Sequence, residues 1–298
     1  MTSNNLQATP ISMMFADGHP RLDPTRIQSQ LIRLEDTILF SLIERAQFPL
    51  NKDIYIPGAV EIKKPRGKHH DLSLMDFLLC EQEALESRIG CFSSPDECPF
   101  FPDALEKSIV ELPSRPHSHV LYAHDSVNVN SIIKPQYITK VLPLICPSSG
   151  ESGYNSNFNW EGGSMDGTGN GNAGSAATCD IACLQALSRR IHLGKYIAEY
   201  AFQTRPDVFS SLLAQEGNVD GVSAALAEAS SWVDDEGLAQ RLTLKAKSYG
   251  MDPSFSAEKS GKIDVNAVLF VYQEIIMPLT NRVGVEYLIQ RHRGIQSE

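Results

Sequence analysis

Ala176-Ala-Thr-Cys-Asp-Ile-Ala-Cys-Leu-Gln-Ala-Leu-Ser-Arg-Arg-Ile-His-Leu-Gly-Lys-Tyr-Ile-Ala-Glu-Tyr-Ala-Phe-Gln203 holds no proline and no cluster of turn formers. Ile181, Leu184, Leu187, Ile191, Tyr196 and Ile197 give it a broad apolar surface, and the lone Gly194 is tolerable in a helix. The spacing predicts one long helix of about 40 Å, at about 1.5 Å per residue.

Working outward, the same period recurs. Ile27, Leu31, Leu34, Ile38 and Leu42 step by three and four and share one helical face, with Asp23-Pro24 as a start signal. A second helix is expected from Leu72 to Phe92, ending where Ser93-Ser94-Pro95-Asp96 breaks the pattern, and a third from Ser131 to Leu144. Beyond the central helix, further helices are expected at about 206 to 215, 218 to 229, 232 to 249 and 265 to 290. No alternating strand pattern of useful length occurs, so the expected fold class is all-α, a helical bundle with a long central helix.

Between Cys146 and Ala176 the composition changes: Gly, Ser and Asn crowd residues 148 to 175, which reads as a flexible insertion. Its Gly167-Thr168-Gly169-Asn170-Gly171-Asn172 run lacks the GK[ST] ending and the preceding strand of a phosphate loop. Residues 1–20 read as a flexible tail and 21–298 as a single helical domain.

Charge and cysteines narrow the function classes. With 36 acidic residues against 26 Lys and Arg, the net charge of -10 repels polyphosphate backbones, so nucleic acid is not an expected partner. No secretion signal and no uninterrupted apolar run long enough for a membrane appears, which gives a cytoplasmic expectation. The six cysteines lack paired spacing, so neither a disulfide framework nor a metal site is expected, and no cofactor is implied.

Several stretches resemble the fungal and plant chorismate mutases: Leu31-Ile-Arg-Leu-Glu-Asp-Thr37, Ser41-Leu-Ile-Glu-Arg45, Ser94-Pro-Asp-Glu97 with Pro99-Phe-Phe-Pro102, Gly174-Ser-Ala-Ala-Thr178, Cys183 to His192, Pro278-Leu-Thr280 and Val285-Glu-Tyr-Leu288. They occur in family order. The resemblance implies a homodimer of helical protomers, an active site inside a helix bundle, and an effector site for aromatic amino acids near the dimer interface. It also implies the rearrangement of chorismate to prephenate, an intramolecular reaction that needs no cofactor. Cations hold two carboxylates and donors stabilise charge growing on the ether oxygen.

Carried onto this sequence, the family's pocket is only partly kept. Arg190 matches one carboxylate-binding arginine, although an arginine there also reads as a helix-surface or ion-pair residue. The other carboxylate-binding arginine is replaced by Gln28, and Arg26 lies two residues away, rotated by about 200° around the helix. The lysine expected eleven residues after Arg190 is Ala201. Thr280 is kept, and the acidic residue expected one turn later is Gly284. Ser231 and Asp235 map onto the pair that binds the ring hydroxyl, with the alternative that Ser231 caps a helix whose N-terminal end Asp235 favours. Gly174, Ser175 and Thr178 match effector-site positions or the start of the long helix, while Gly90 and Cys91 replace a pair of arginines.

Three readings follow. The first is a repurposed isomerase of pericyclic type, acting on a bulkier, less anionic small molecule in secondary metabolism, because losing Lys- and Glu-sized side chains enlarges the pocket. The second is a non-catalytic regulatory or ligand-binding homologue, including a heterodimer partner for an active paralogue. The third is a working chorismate mutase of aromatic amino-acid biosynthesis, with Arg26 or Lys195 compensating.

Overall fold

Asp23 caps the first helix: its carboxylate accepts the Thr25 N–H at 2.9 Å, and Pro24, lacking an N–H, suits the first turn. The computed structural model describes residues 12–14, 20–63, 71–111, 120–122, 124–146, 173–233, 237–250 and 263–296. Among them, α1 (Pro24–Arg45) buries all five residues of the expected stripe together with Leu39 and Ile43. α2 (Leu74–Arg88) starts where the Ser73 hydroxyl accepts the Asp76 N–H at 3.1 Å. It ends at Gly90, whose φ of 90° lets the Gly90 and Cys91 amides turn back to the carbonyls of Ser87 and Glu86. Glycine at 90 is therefore a helix stop.

Next come α3 (Asn130–Gln136), a π turn at Tyr137–Val141 and α4 (Leu142–Ile145). Pro135 and Pro143 each remove an amide donor from this run, where regular spacing is hardest to keep. The central stretch forms α5 (Ala173–His192) and α6 (Gly194–Thr204), with only Leu193 between them. Ladder bonds from Leu193 N to Arg189 O and from Ile197 N to Leu193 O run through that joint, so the one helix expected is present with a local adjustment. α7 (Pro206–Leu213), α8 (Val219–Ala229) and α9 (Gly237–Gly250) follow. The last expected helix is α10 (Val265–Phe270), a π turn at Val271–Ile276 and α11 (Met277–Gln296). The fold is all-α.

Two boundaries shift. Ser12–Met14 (β1) pairs antiparallel with Pro20–Leu22 (β2), Ser12 opposite Leu22, so a short hairpin reaches into residues 1–20, expected to be a flexible tail. Such short strands carry too few alternations to show as a period. Residues 148–172 of the Gly/Ser/Asn-rich insertion lie outside the described residues, and Ala173 to Ser175 already belong to α5.

Packing places α5 against α1 and α6 against α11. The first contact is locked by a buried polar cluster. Arg45 Nε bonds Asp180 Oδ1 at 2.5 Å, and the hydroxyls of Tyr55 and Tyr137 donate to the same carboxylate at 2.6 and 2.8 Å. Arg45 also donates to the Phe48 carbonyl at 2.9 Å. A wholly buried ion pair survives only when its remaining donors and acceptors are satisfied, as they are here. No helix among the described residues is long and apolar enough to cross a membrane.

Candidate functional site

The site is built where the end of α5 meets the start of α11. Arg190, 2% exposed, reaches from the last turn of α5 and donates from Nη1 to Thr280 Oγ1 at 3.3 Å, with Met277 Sδ 3.8 Å from Nη2. Thr280 spends its own proton on the Ile276 carbonyl at 2.6 Å, which leaves its lone pairs for the guanidinium. Of the alternatives for Arg190, the surface helix arginine is excluded by this burial. Tyr272, 1% exposed, carries a hydroxyl without a hydrogen-bond partner among the described residues. Burial pushes that phenol up, against the pull of Arg190.

Around this centre, α9 is tied to α1 by Glu35, whose carboxylate takes Arg241 Nη2 and Lys245 Nζ, each at 3.0 Å. Lys245 also pairs with Asp36 at 2.8 Å. Gln28 lies on α1 seven residues before Glu35, on the same face, and is half-buried. The Glu35 network was missed in the sequence, although a glutamate inside the stripe of Leu31, Leu34 and Ile38 was a signal that it needed a cationic partner.

Ala201 is buried in the core. Gly284 corrects an expectation. A Cβ built there would lie 2.6 Å from Leu226 Cδ2, 3.3 Å from Ala198 Cβ and 3.3 Å from the Gly194 carbonyl oxygen. Gly194 in turn faces the Thr280 carbonyl so closely that a side chain would collide with it. Packing therefore does explain the glycine, and the enlarged cavity expected at this position is absent because Leu226 of α8 fills it. Nothing in the sequence pointed to Leu226, whose role depends on how α8 crosses α11.

The remaining candidates are dispersed. Ser231 is exposed in the turn after α8, and Trp232 and Val233 that follow it are still turn residues, so no helix starts directly after Ser231. Asp235 lies outside the described residues. Gly174, Ser175 and Thr178 are exposed in the first turns of α5, where Thr178 Oγ1 donates to the Gly174 carbonyl at 2.9 Å, as the helix-start reading expects. Arg26 pairs with Asp23 at 3.3 Å. Lys195, 1% exposed, donates to the Pro95 carbonyl at 2.8 Å and lies 3.2 Å from Cys98 Sγ, so it is turned toward the Ser94–Cys98 loop.

That loop is anchored on both sides. Arg189 pairs with Asp96 at 2.9 Å and Glu97 at 3.3 Å. The buried Glu83 carboxylate accepts the Phe100 and Phe101 amides, each at 2.8 Å, and desolvation pushes it up to about 7 despite them. Between α2, the loop and α5 lies a cleft of about 210 Å³ lined in part by Cys91, Phe92, Cys98, Gln185 and Arg189. Among the described residues, no group of three or more His, Cys, Asp or Glu side chains is placed to hold a metal ion.

This arrangement offers a buried guanidinium to one carboxylate and no cation or acid at Ala201 or Gly284. Such a site can orient an anionic molecule better than it can stabilise charge at the other end. No family model matches the chain. Among curated proteins, it is 47% identical to a chorismate mutase of Emericella nidulans, over 95% of this chain and 98% of that protein. It is 36% identical to a chorismate mutase of Saccharomyces cerevisiae, over 94% and 99%. Among solved structures, a Candida albicans chorismate mutase in complex with L-tryptophan superposes with a TM-score of 0.74 at 33% identity, covering 91% of this chain and 92% of that one.

Proposed function

The chain belongs to the chorismate mutase family, and from that premise we propose that it is an intramolecular isomerase that carries out the family reaction, chorismate to prephenate, in aromatic amino-acid biosynthesis. The observation that carries this is the buried Arg190 held by Thr280, a preorganised cation for a substrate carboxylate in the bundle. Gln28 takes the place of the second carboxylate clamp with a neutral amide. Catalysis is then positional: the site holds the substrate compact and leaves the ether oxygen without a charged partner. Each missing electrostatic donor costs about 10²- to 10³-fold in rate, so turnover is slow.

The test follows chorismate loss and prephenate formation with purified protein. Slow turnover that disappears in Arg190→Ala supports the reading; a rate equal in both proteins overturns it. A homodimer is part of this proposal, supported by Leu85 on α2 and Ile89 just past its end, both exposed beside exposed Ile109 and Val110.

One observation favours a second reading, a catalytically silent homologue. Leu226, Ala198 and the Gly194 carbonyl occupy the space where an acid on residue 284 would stand. On this reading purified protein leaves chorismate untouched yet changes the rate of an active family member when the two are mixed.

A further inference from the structure

Cys98 is reached from the cleft between α2 and α5, and its Sγ lies 3.2 Å from the Nζ of Lys195 on α6. The sulfur has the Pro95 carbonyl at 3.8 Å and the Val127 carbonyl at 3.7 Å as its other polar neighbours. Lys195 is 1% exposed, is held toward the sulfur by the Pro95 carbonyl at 2.8 Å, and has no recorded ion pair among the described residues. The thiol is pushed up by burial and drawn back by the same ammonium. Sulfur, amine and a solvent route are thus assembled at one point, outside the Arg190 site.

We propose that Cys98 and Lys195 are a covalent redox switch, joined under peroxide by an N–O–S bridge between Nζ and Sγ. The pair gives up four electrons, two from sulfur and two from nitrogen, to two molecules of hydrogen peroxide. One peroxide oxygen remains in the bridge. Three waters leave, taking the thiol proton and one proton of the neutral amine, and the ammonium's extra proton goes to solvent. The S–H bond, one N–H bond and the O–O bond of each peroxide break; S–O and N–O bonds form, with the new O–H bonds of the waters. The bridge fastens the Ser94–Cys98 loop to α6, beside the Arg189 ion pairs that already hold it. A thiol reductant reverses it, as it reverses other sulfur oxidation products short of sulfinic acid.

The experiment treats the purified full chain with hydrogen peroxide, maps tryptic peptides by mass spectrometry, and repeats the map after a phosphine reductant. The expected result is a joined peptide containing Cys98 and Lys195, uncut after Lys195. It is one oxygen heavier and two hydrogens lighter than the sum of its parts, and is separated by the reductant. Cys98→Ser and Lys195→Met each abolish it, and the map of the unsubstituted chain decides the question if either variant misfolds. A joined peptide without the oxygen, Cys98 oxidised to sulfinic acid with Lys195 free, or both residues unmodified would each overturn the proposal.

Discussion

Leu226 occupies the space that a side chain on Gly284 would need, its Cδ2 2.6 Å from where the Cβ would be. Gly284→Ala therefore pushes α8 away from α11 or forces Leu226 out of its rotamer. We expect a loss of about 1–3 kcal/mol, read from urea unfolding. Gly284→Ala combined with Leu226→Ala should fall short of the sum of the two single losses, because the collision is removed in the pair. Additive losses would show that the two residues do not share a space.

The Arg45–Asp180 pair supplies the second prediction. Asp180→Asn leaves Arg45 buried without its counter-charge and weakens the acceptor for Tyr55 and Tyr137. The expected cost is about 3–5 kcal/mol, again by urea unfolding. Arg45→Met with Asp180→Leu should be milder than either single change, since no orphaned charge remains.

His192 sets a dependence on acid. Its Nε2 accepts the Val129 N–H at 3.0 Å, which obliges the proton to sit on Nδ1, facing the Ser188 carbonyl at 2.8 Å. Burial and the nearby Lys195 hold the imidazole down to about 3. In the unfolded chain it titrates near its ordinary 6.5, so between those values the unfolded state binds more protons. Stability from His192 is full above about pH 6.5 and falls as pH drops toward 3, by at most about 1.4 kcal/mol per unit. His192→Phe should flatten that slope in urea midpoints measured from pH 4 to 7.

Glu83 acts in the opposite sense. Its folded carboxyl is raised to about 7 from an ordinary 4.5, chiefly by desolvation. Within that window the folded state binds more protons, so its contribution declines as pH rises from 4.5 to 7. Glu83→Gln removes this slope and turns an amide N–H toward the Phe100 or Phe101 N–H, so it should destabilise the Phe100–Phe101 segment, seen as faster hydrogen exchange there.

The helices and their order were legible where a stripe at helical spacing meets a visible boundary, as α1 does after Asp23-Pro24 and the second helix does before Ser93-Ser94-Pro95-Asp96. The central helix from Ala176 was equally plain. Of the site, Arg190 and Thr280 were found by motif, and the structure brings them together. What escaped were contacts set by crossing geometry. The Leu226 plug depends on α8 lying across α11, and no local pattern encodes that. The clamp of Glu35 with Arg241 and Lys245 joins residues more than 200 positions apart, which periodicity cannot pair. The hairpin of β1 and β2 was too short to announce itself.

The close fit of Gly194 against Thr280 and of Gly284 against Gly194 and Leu226 ties these positions to one another. A larger residue at 284 calls for a smaller one at 226, and a smaller residue at 226 alone leaves a hole that costs stability. Packing therefore closes off the single exchanges and leaves only the paired one open, whatever the activity toward chorismate.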